Sequence, residues 1–344
     1  MLSLASAIYG RAVLARRRRF ESRPETRRRL TRPVISVGNL ALGGRGKTPF
    51  ARWLASWLVT QSHRPSILSR GYGRIESSRQ AVLVSDGGRI LADLARAGDE
   101  PLMLALSAPG VAVVVCADRY RAGQLAETRL ECTMHVLDDG FQHLRLHRDV
   151  NLLLVSESDL HDRVIPAGRL REPLIAARSA DAVLWTGGSQ EASEIANRLG
   201  VRAAFAVKRV PGMMRAAVDG HVTPPAGAPV IAVAGIAAPD SFFDGLEHDG
   251  YDVRQHMRFR DHHPFSSDDV QRISSTARAC GVDWVITTEK DMVRLRPLEP
   301  LPVQLAWRGI EVVPAEPRRF TAWLNERLGG VATVDPISLG APGA

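Results

Sequence analysis

The stretch SVGNLALGGRGKTPFARW, residues 36–53, decides the fold. It overlaps a short apolar run at 34–37 and leads into an apolar helix-like segment, so the order is strand, glycine-rich loop, helix. Residues 41–48 fit the pattern G-x-x-x-x-G-K-[ST], except that Ala41 replaces the first glycine. This order and spacing are typical of a phosphate-binding loop, in which backbone N–H groups surround a polyphosphate at a helix N-terminus.

The loop predicts a nucleotide site. Its expected cofactor-binding residues are Ala41, Leu42, Gly43, Gly44, Arg45, Gly46, Lys47 and Thr48. In such loops the lysine reaches the β- and γ-phosphates and the hydroxyl binds Mg²⁺. The alternative is a glycine-rich turn with no ligand. Lys47 is one of three lysines beside 42 arginines, and a compact ammonium is hard to replace in a tight phosphate site, so the functional interpretation is favoured.

The net charge of this 344-residue chain is +8, and it is concentrated at one end. Residues 1–33 contain ten arginines and two glutamates, which leaves the remainder neutral. A protein that coats nucleic acid would need basic stripes across its folded body, so no nucleic-acid partner is expected.

The N-terminal residues 1–32 predict a basic amphipathic arm. An apolar stretch at 1–15 is interrupted by Arg11 and followed by the cluster Arg16–Arg19, which reverses the charge order of a secretory signal. The stretch is shorter than the ~20 residues that span a bilayer. The sequence supports two interpretations about equally. The arm is either an interfacial anchor on an anionic leaflet or a helix packed on the body and followed by a basic linker. A nucleic-acid arm is third, since no aromatic side chains separate the arginines.

From residue 33 onward, short apolar runs alternate with helix-like stretches, as in α/β proteins with mainly parallel sheets. Strands are predicted at 34–37, 66–69, 81–84, 111–116, 134–137, 151–155, 182–185, 203–207, 230–234, 251–256 and 284–287. A Pro/Gly/Ala stretch at 219–229 interrupts the alternation. The predicted organisation is a nucleotide-binding domain at 33–207, a hinge or linker at 208–229, a smaller α/β domain at 230–329, and a disordered tail at 330–344.

A second predicted strand, 134–137, ends in the segment DDGFQH at 138–143. An acidic strand end is the usual complement of a phosphate loop, because the cation held there needs a carboxylate partner. Asp138 fits that role, and Asp139 is placed to face a substrate. The alternative is a D-G turn that only closes the strand. His143 is interpreted as structural or substrate-facing.

Three further segments carry reactive side chains. Gly98-Asp99-Glu100-Pro101 precedes an apolar helix, and on spacing alone Asp99 or Glu100 would cap that helix, although a general base is left open. FRDHHP at 259–264 and TTEKD at 287–291 each follow a predicted strand in the second domain. Ligands of open α/β sheets bind at such strand ends, so two facing edges would form an interdomain cleft.

Together these motifs resemble the tetraacyldisaccharide 4'-kinase family, the lipid A 4'-kinases of Gram-negative bacteria. The motifs are SVGNLALGGRGKTP, SRGYGR, GDEP, ADRYRAG, LDDGFQH, PAGRLREP, FRDHHPF and TTEKD. The resemblance implies a P-loop kinase of two α/β/α domains joined by a β-ribbon. It also implies transfer of the ATP γ-phosphate, with Mg²⁺, to the 4'-hydroxyl of a tetraacylated glucosamine disaccharide 1-phosphate, giving lipid IV(A). The partners would be this glycolipid and the anionic surface at the cytoplasmic face of the inner membrane, where the N-terminal helix makes the enzyme peripheral.

The resemblance also assigns roles to individual residues. Asp99 resembles the family's catalytic base, and His262 resembles the histidine paired with it. The resemblance therefore favours a general base over a helix cap as the role of Asp99. The catalytic residues are then Asp99, His262 and Lys47, and the metal site is Thr48, Asp138 and Glu100. The expected substrate-binding residues are Asp139, Arg119, Arg171, Gln142 and His143.

Two other classes of function compete with a lipid kinase. A regulatory, membrane-associated P-loop ATPase or GTPase would share the phosphate loop and Asp138, but a GTPase usually carries a guanine-reading N-K-x-D element, which this sequence lacks. A non-enzymatic adaptor would explain the basic arm but not the motif-rich strand ends. Lys208 has no predicted role.

Overall fold

The computed structural model describes residues 2–43, 46–71, 74, 80–188, 191–217, 223–298 and 303–329. Its α-helices are α1 Leu2–Glu21, α2 Lys47–Thr60, α3 Leu94–Ala97, α4 Asp99–Ser107, α5 Arg119–Leu130, α6 Glu157–Leu160, α7 Ala192–Leu199, α8 Asp240–His248, α9 Ser267–Ala279, α10 Glu289–Leu295 and α11 Pro317–Gly329. Its strands are β1 Val34–Asn39, β2 Pro65–Ser69, β3 Val82–Asp86, β4 Ala112–Val115, β5 Met134–Asp138, β6 Val150–Val155, β7 Ala182–Trp185, β8 Ala203–Ala216, β9 Pro229–Ala234, β10 Asp252–Arg258, β11 Trp284–Thr288 and β12 Gln304–Pro314. The predicted tail at 330–344 lies outside the described residues, as do 218–222 of the predicted linker.

The strands form one twelve-stranded sheet in the order β10-β9-β11-β12-β8-β7-β6-β1-β5-β2-β4-β3. Neighbours pair in parallel except β3 with β4 and β8 with β12. The α/β class with a mainly parallel sheet is therefore confirmed. The central strands β1, β5 and β6 are buried along their whole length, as expected of parallel strands covered by helices on both faces.

The long strand β8 joins the two halves of the sheet. Its first residues pair in parallel with β7, and its remainder pairs antiparallel with β12 from Val207 to Ala216. The strands β9, β10 and β11 are parallel to β12, so they run opposite to those of the first half. Because β8 also carries the chain beyond the first half, the carboxyl ends of the two half-sheets face each other across a cleft.

The antiparallel pair of β8 and β12 is the β-ribbon that the family resemblance implies. Strand β8 is longer than the predicted 203–207, and β12 was not predicted at all. An irregularity in pairing between Arg308 and Ile310, at Gly309, interrupts the apolar alternation of β12. Residues 208–216, assigned by sequence to a linker, are therefore extended strand.

The buried side chains of α2 pack against the first half-sheet and against α11. Phe50 is fully buried and lies edge-on to the Phe320 ring, with centroids 5.7 Å apart. Trp53 and Trp57 are partly buried and pack against the same core. Burial of large apolar side chains contributes about 1.5–3 kcal/mol each, so this contact fixes the orientation of the helix that begins at the phosphate loop.

Candidate active site

The phosphate loop runs from the end of β1 to the start of α2 at Lys47. Gly43 and Gly46 have φ values of 102° and 91°, a region that glycine enters without strain. Gly46 caps α2 and no side chain occupies the cap, so the first N–H groups of the helix are free to face an anion. The Lys47 ammonium lies 3.3 Å from the carbonyl oxygen of Gly43. Gly44 and Arg45 lie outside the described residues.

The first part of the loop pairs with the segment that carries Arg171. Ala41 is fully buried and forms an isolated bridge with Leu170, which accounts for a small apolar side chain at this position. The N–H of Leu42 donates to the carbonyl oxygen of Arg169 at 2.7 Å. The N–H of Leu42 is therefore already used within the protein and is not available to a phosphate.

The buried carboxylate of Asp138, at the end of β5, accepts a hydrogen bond from the Thr48 hydroxyl at 3.0 Å. Burial, together with the nearby carboxylates of Glu100 and Asp139, raises the pKa of Asp138 to about 7, although Lys47 and Thr48 act to lower it. Negative charge is therefore in excess beside the hydroxyl at the start of α2. Such a site favours a cation.

Asp139 and Arg171 form a two-pronged ion pair beside this carboxylate. The guanidinium donates to both oxygens of Asp139, at 2.9 and 2.8 Å, and also to the side-chain oxygen of Asn39. Burial opposes ionisation of Asp139, but Arg171 and Lys47 outweigh it and lower its pKa to about 2. Lys47 lies 3.6 Å from the same carboxylate. Asp139 has a φ of 53°, so the backbone as well as the ion pair directs this side chain.

Several buried polar atoms around this pair lack a hydrogen-bond partner among the described residues. They are Asn39 Nδ2, Arg119 Nε, Gln142 Oε1, His143 Nε2 and Arg171 Nε. Burial, with Arg119 nearby, lowers the pKa of His143 to about 4, so the imidazole is neutral at neutral pH. Buried polar groups are normally satisfied, so these atoms are available as donors and acceptors for a polar ligand.

Asp99 lies at the first turn of α4 but does not cap it, since Gly98 is the cap residue. The capping interpretation is therefore wrong. Its Oδ2 atom instead accepts from His262 Nδ1 at 2.9 Å and from Arg294 Nε at 2.8 Å, with a further contact from Arg294 Nη2. Burial opposes ionisation, but Arg294 and His262 prevail and the pKa of Asp99 is lowered.

His262 is oriented by the second half of the chain. It has a φ of 58°, and its N–H donates to the carbonyl oxygen of Gly235 at 3.2 Å. The Lys290 ammonium lies 2.8 Å from Nε2. A carboxylate only accepts and an ammonium only donates, so Nδ1 carries the proton directed at Asp99 and Nε2 is the acceptor. Arg294 Nη2 also lies 3.1 Å from Nδ1, but it does not donate to that protonated nitrogen. Among the described residues no hydrogen bond reaches Oδ1 of Asp99, which leaves that oxygen free to accept a proton.

Sequence reasoning missed Arg294 and Asn39. Arg294 is 4% exposed and is held by Asp291, whose other oxygen accepts from the N–H of Gly235 and from Thr288. The sequence gives only a weak indication of its role, namely that it follows Lys290 by four residues. Asn39 had no predicted role, although an amide at the end of a mostly apolar strand is a usable signal.

The site divides into two groups. The structure brings Lys47, Thr48, Asp138 and Asp139 together at the ends of β1 and β5, with Arg171 beside them. Asp99 joins His262 across the cleft. Within the described residues, no cluster of three His, Cys, Asp or Glu side chains could hold a metal ion alone.

The chain matches a family model described as Tetraacyldisaccharide-1-P 4'-kinase over residues 1–329. It is 41% identical over 305 residues to the tetraacyldisaccharide 4'-kinase of Geobacter metallireducens, covering 87% of this chain and 89% of that one. It is 40% identical over 334 residues to that of Geobacter sulfurreducens, covering 89% and 92%. The crystal structure of the Aquifex aeolicus LpxK in complex with ATP superposes with a TM-score of 0.76 at 32% identity, over 94% of this chain and 96% of that one.

Proposed function

The chain belongs to the Tetraacyldisaccharide-1-P 4'-kinase family, and from this premise we propose how its side chains perform the transfer. The protein is an ATP-dependent kinase of lipid A biosynthesis. It phosphorylates the 4'-hydroxyl of tetraacyldisaccharide 1-phosphate. One observation carries the proposal: Asp99, on the nucleotide-binding side, is held by His262 and Arg294 from the opposite side of the cleft.

ATP binds with its phosphates in the loop 41–48, and Lys47 contacts the β- and γ-phosphates. The lysine can turn towards the phosphates at little cost, because its contacts within the protein are long. They are a carbonyl oxygen at 3.3 Å and a carboxylate at 3.6 Å. Phosphoryl transfer depends on positioning and on stabilising charge that develops on the γ-phosphate. Lys47 supplies a donor and a positive charge at that point.

Thr48, Asp138 and Glu100 are the residues that would hold Mg²⁺ beside the nucleotide. The fit rests on the excess negative charge at Asp138, whose pKa is raised to about 7 by burial and by its carboxylate neighbours. Phosphate and water oxygens, which Mg²⁺ prefers, would supply its other ligands. When bound, the ion neutralises phosphate charge.

Asp99 is the general base that accepts the proton of the sugar hydroxyl, and His262 orients it. The carboxylate is ionised, and its donors converge on Oδ2. Oδ1 is then the oxygen that takes the proton as the hydroxyl oxygen attacks the γ-phosphorus in line, while the bond from that phosphorus to the bridging oxygen breaks and ADP leaves.

The disaccharide head group binds at Asp139, Arg171, Arg119, Gln142 and His143. The buried unpartnered atoms of this group offer donors and acceptors to sugar hydroxyls and to the 1-phosphate. Burial, with the nearby Arg70, lowers the pKa of Arg119 to about 10, so this side chain remains a cation at neutral pH.

The chain works as two units, residues 33–207 and 230–329, hinged at 208–229, except that α11 at the end of the second stretch packs on α2 of the first unit. Closure brings His262 and Arg294 to Asp99. A second contact joins the two units in this closed arrangement: Arg52 of α2 forms an ion pair with Glu289 at the start of α10 and donates to the carbonyl oxygen of Ile310 on the ribbon.

The kinase associates peripherally with the cytoplasmic face of the inner membrane through α1. No helix among the described residues has the length and apolar character needed to cross a bilayer. Leu2, Leu4 and Ile8 of α1 are 61–69% exposed, and arginines follow directly. Exposed apolar side chains beside a basic cluster suit an anionic bilayer surface.

Replacing Leu4 and Ile8 by Ser is expected to weaken binding to vesicles of anionic phospholipid and to slow turnover of vesicle-bound lipid, because apolar surface no longer enters the interface. ATP affinity should not change. Flotation with vesicles measures the first effect. Met213→Ser is the matched control, since Met213 is 80% exposed on the ribbon, away from α1. Unchanged flotation of the Leu4/Ile8 variant would refute the membrane assignment.

The proposed activity is tested with γ-labelled ATP. In mixed micelles with tetraacyldisaccharide 1-phosphate, label should appear in the lipid, and release of free phosphate without acceptor should be slow. A regulatory ATPase would show the reverse pattern, with fast phosphate release and no labelled lipid, and that result would reject the kinase assignment.

A further inference from the structure

We propose that Arg17 of α1 is a positioning residue for the acceptor site, so that the interfacial helix organises the groups that bind the sugar head group. This inference rests on the proposed acceptor role of Asp139 and Arg171. It goes beyond membrane attachment, because the contact involved lies inside the protein and not at its surface.

Helix α1 is attached to the body along one face. Ser6, Gly10 and Arg17 are its buried residues and Leu14 packs partly against the core, whereas Leu2, Leu4 and Ile8 point outward. The Ser6 hydroxyl accepts the N–H of Ala167 at 3.0 Å. A Cβ atom at Gly10 would lie 3.2 Å from the ring of Pro173. The helix therefore packs on the segment that leads to Arg171.

Arg17 is 3% exposed, which is unusual for an arginine of a surface anchor. Its Nε donates to Glu172 at 2.7 Å, and its Nη2 donates to the carbonyl oxygen of Phe141 at 3.2 Å. Its guanidinium also lies 4.4 Å from the centre of the Phe141 ring. Arg17 is thus clamped between two different segments of the catalytic half.

Both partners adjoin the ion pair of the acceptor site. Glu172 follows Arg171 directly, and Phe141 lies two residues after Asp139. Phe141 is also fixed from the other side, since a Cβ atom at Gly38 would lie only 2.5 Å from that of Phe141. A shift of Arg17 is therefore passed to Asp139 and Arg171, whose mutual geometry is set by two hydrogen bonds.

The buried pair of Arg17 and Glu172 is poorly optimised for stability alone. Arg17 Nη1 and Glu172 Oε1 are buried without partners among the described residues, and burial raises the pKa of Glu172 against the effect of Arg17. Buried ion pairs whose remaining polar atoms are unsatisfied seldom exceed an apolar pair in stability. A role in orienting the acceptor site accounts for the presence of these two buried charges.

The test compares Arg17→Met and the double variant Arg17→Met/Glu172→Met with wild type. The double variant removes both charges, so no carboxylate is left buried alone and folding should be retained. Both variants should lower kcat/KM for the disaccharide in mixed micelles roughly 10-fold or more, since small misplacements of bound groups cost up to about 100-fold. KM for ATP and flotation with anionic vesicles should be unchanged. The matched control is Arg198→Met, an exposed arginine near the end of α7.

A double variant that keeps a wild-type thermal transition and wild-type kcat/KM for the disaccharide would overturn the proposal. Loss of vesicle flotation in parallel with activity would also overturn it, because Arg17 would then act through attachment. Arg17→Lys should recover part of the activity that Arg17→Met loses, because it restores the charge. Recovery should be partial, because an ammonium lacks the planar donor geometry that reaches both Glu172 and Phe141. Failure of wild type to phosphorylate the disaccharide would instead reject the proposed function itself.

Discussion

Asp99→Asn is expected to lower kcat about 10²–10⁴-fold, the range by which general bases contribute. The substitution keeps the shape of the side chain, and its amide oxygen can still accept from Arg294, so folding and closure should be preserved. What is lost is the basicity of the oxygen that takes the hydroxyl proton. ATP affinity, measured by equilibrium binding of nucleotide, should stay near that of wild type.

His262→Ala should also lower kcat, but less than Asp99→Asn, because Arg294 still holds Oδ2 of the carboxylate. The double variant Asp99→Asn/His262→Ala should be little worse than Asp99→Asn alone, since the histidine acts through the base. Asp268→Asn is the matched control, as Asp268 is exposed at the start of α9. A near-wild-type rate for Asp99→Asn would require a different base.

The phosphate loop and the acidic strand end could be predicted because both are local. Strand, glycine-rich loop and helix follow one another in the chain, and Asp138 directly ends an apolar strand. The ends of β1 and β5 are then neighbours by the rules of parallel sheets. The Thr48–Asp138 contact at 3.0 Å follows from the local order of the elements and from this pairing of the strands.

Contacts between distant segments could not be predicted in this way. Arg294 meets Asp99 only because the antiparallel ribbon turns the second half-sheet towards the first, and β12 of that ribbon is irregular at Gly309. Arg17 illustrates a different limit. The sequence places it in a run of four arginines, and charge alone does not distinguish the one whose helical position turns it into the core.

Lys47→Met is expected to lower kcat about 10²–10³-fold, as removal of one preorganised donor to a developing anion does. KM for ATP should rise as well, because the lysine also contacts the phosphates of the ground state. Steady-state kinetics with the disaccharide in mixed micelles measures both effects. The Asp139 carboxylate, 3.6 Å from the ammonium, loses one cation but keeps Arg171, so the protein should remain folded.

Lys47→Arg tests the shape of the cation separately from its charge. A guanidinium is planar and broad, whereas the space beside Gly43 and Asp139 accommodates an ammonium with partners at 3.3 and 3.6 Å. The arginine variant should therefore recover little of the lost activity. Lys208→Arg is the matched control, because Lys208 is exposed on β8 and should tolerate the exchange. A chain that uses arginine at 42 of its 45 basic positions retains lysine here for a reason of shape, and full activity of Lys47→Arg would contradict that reason.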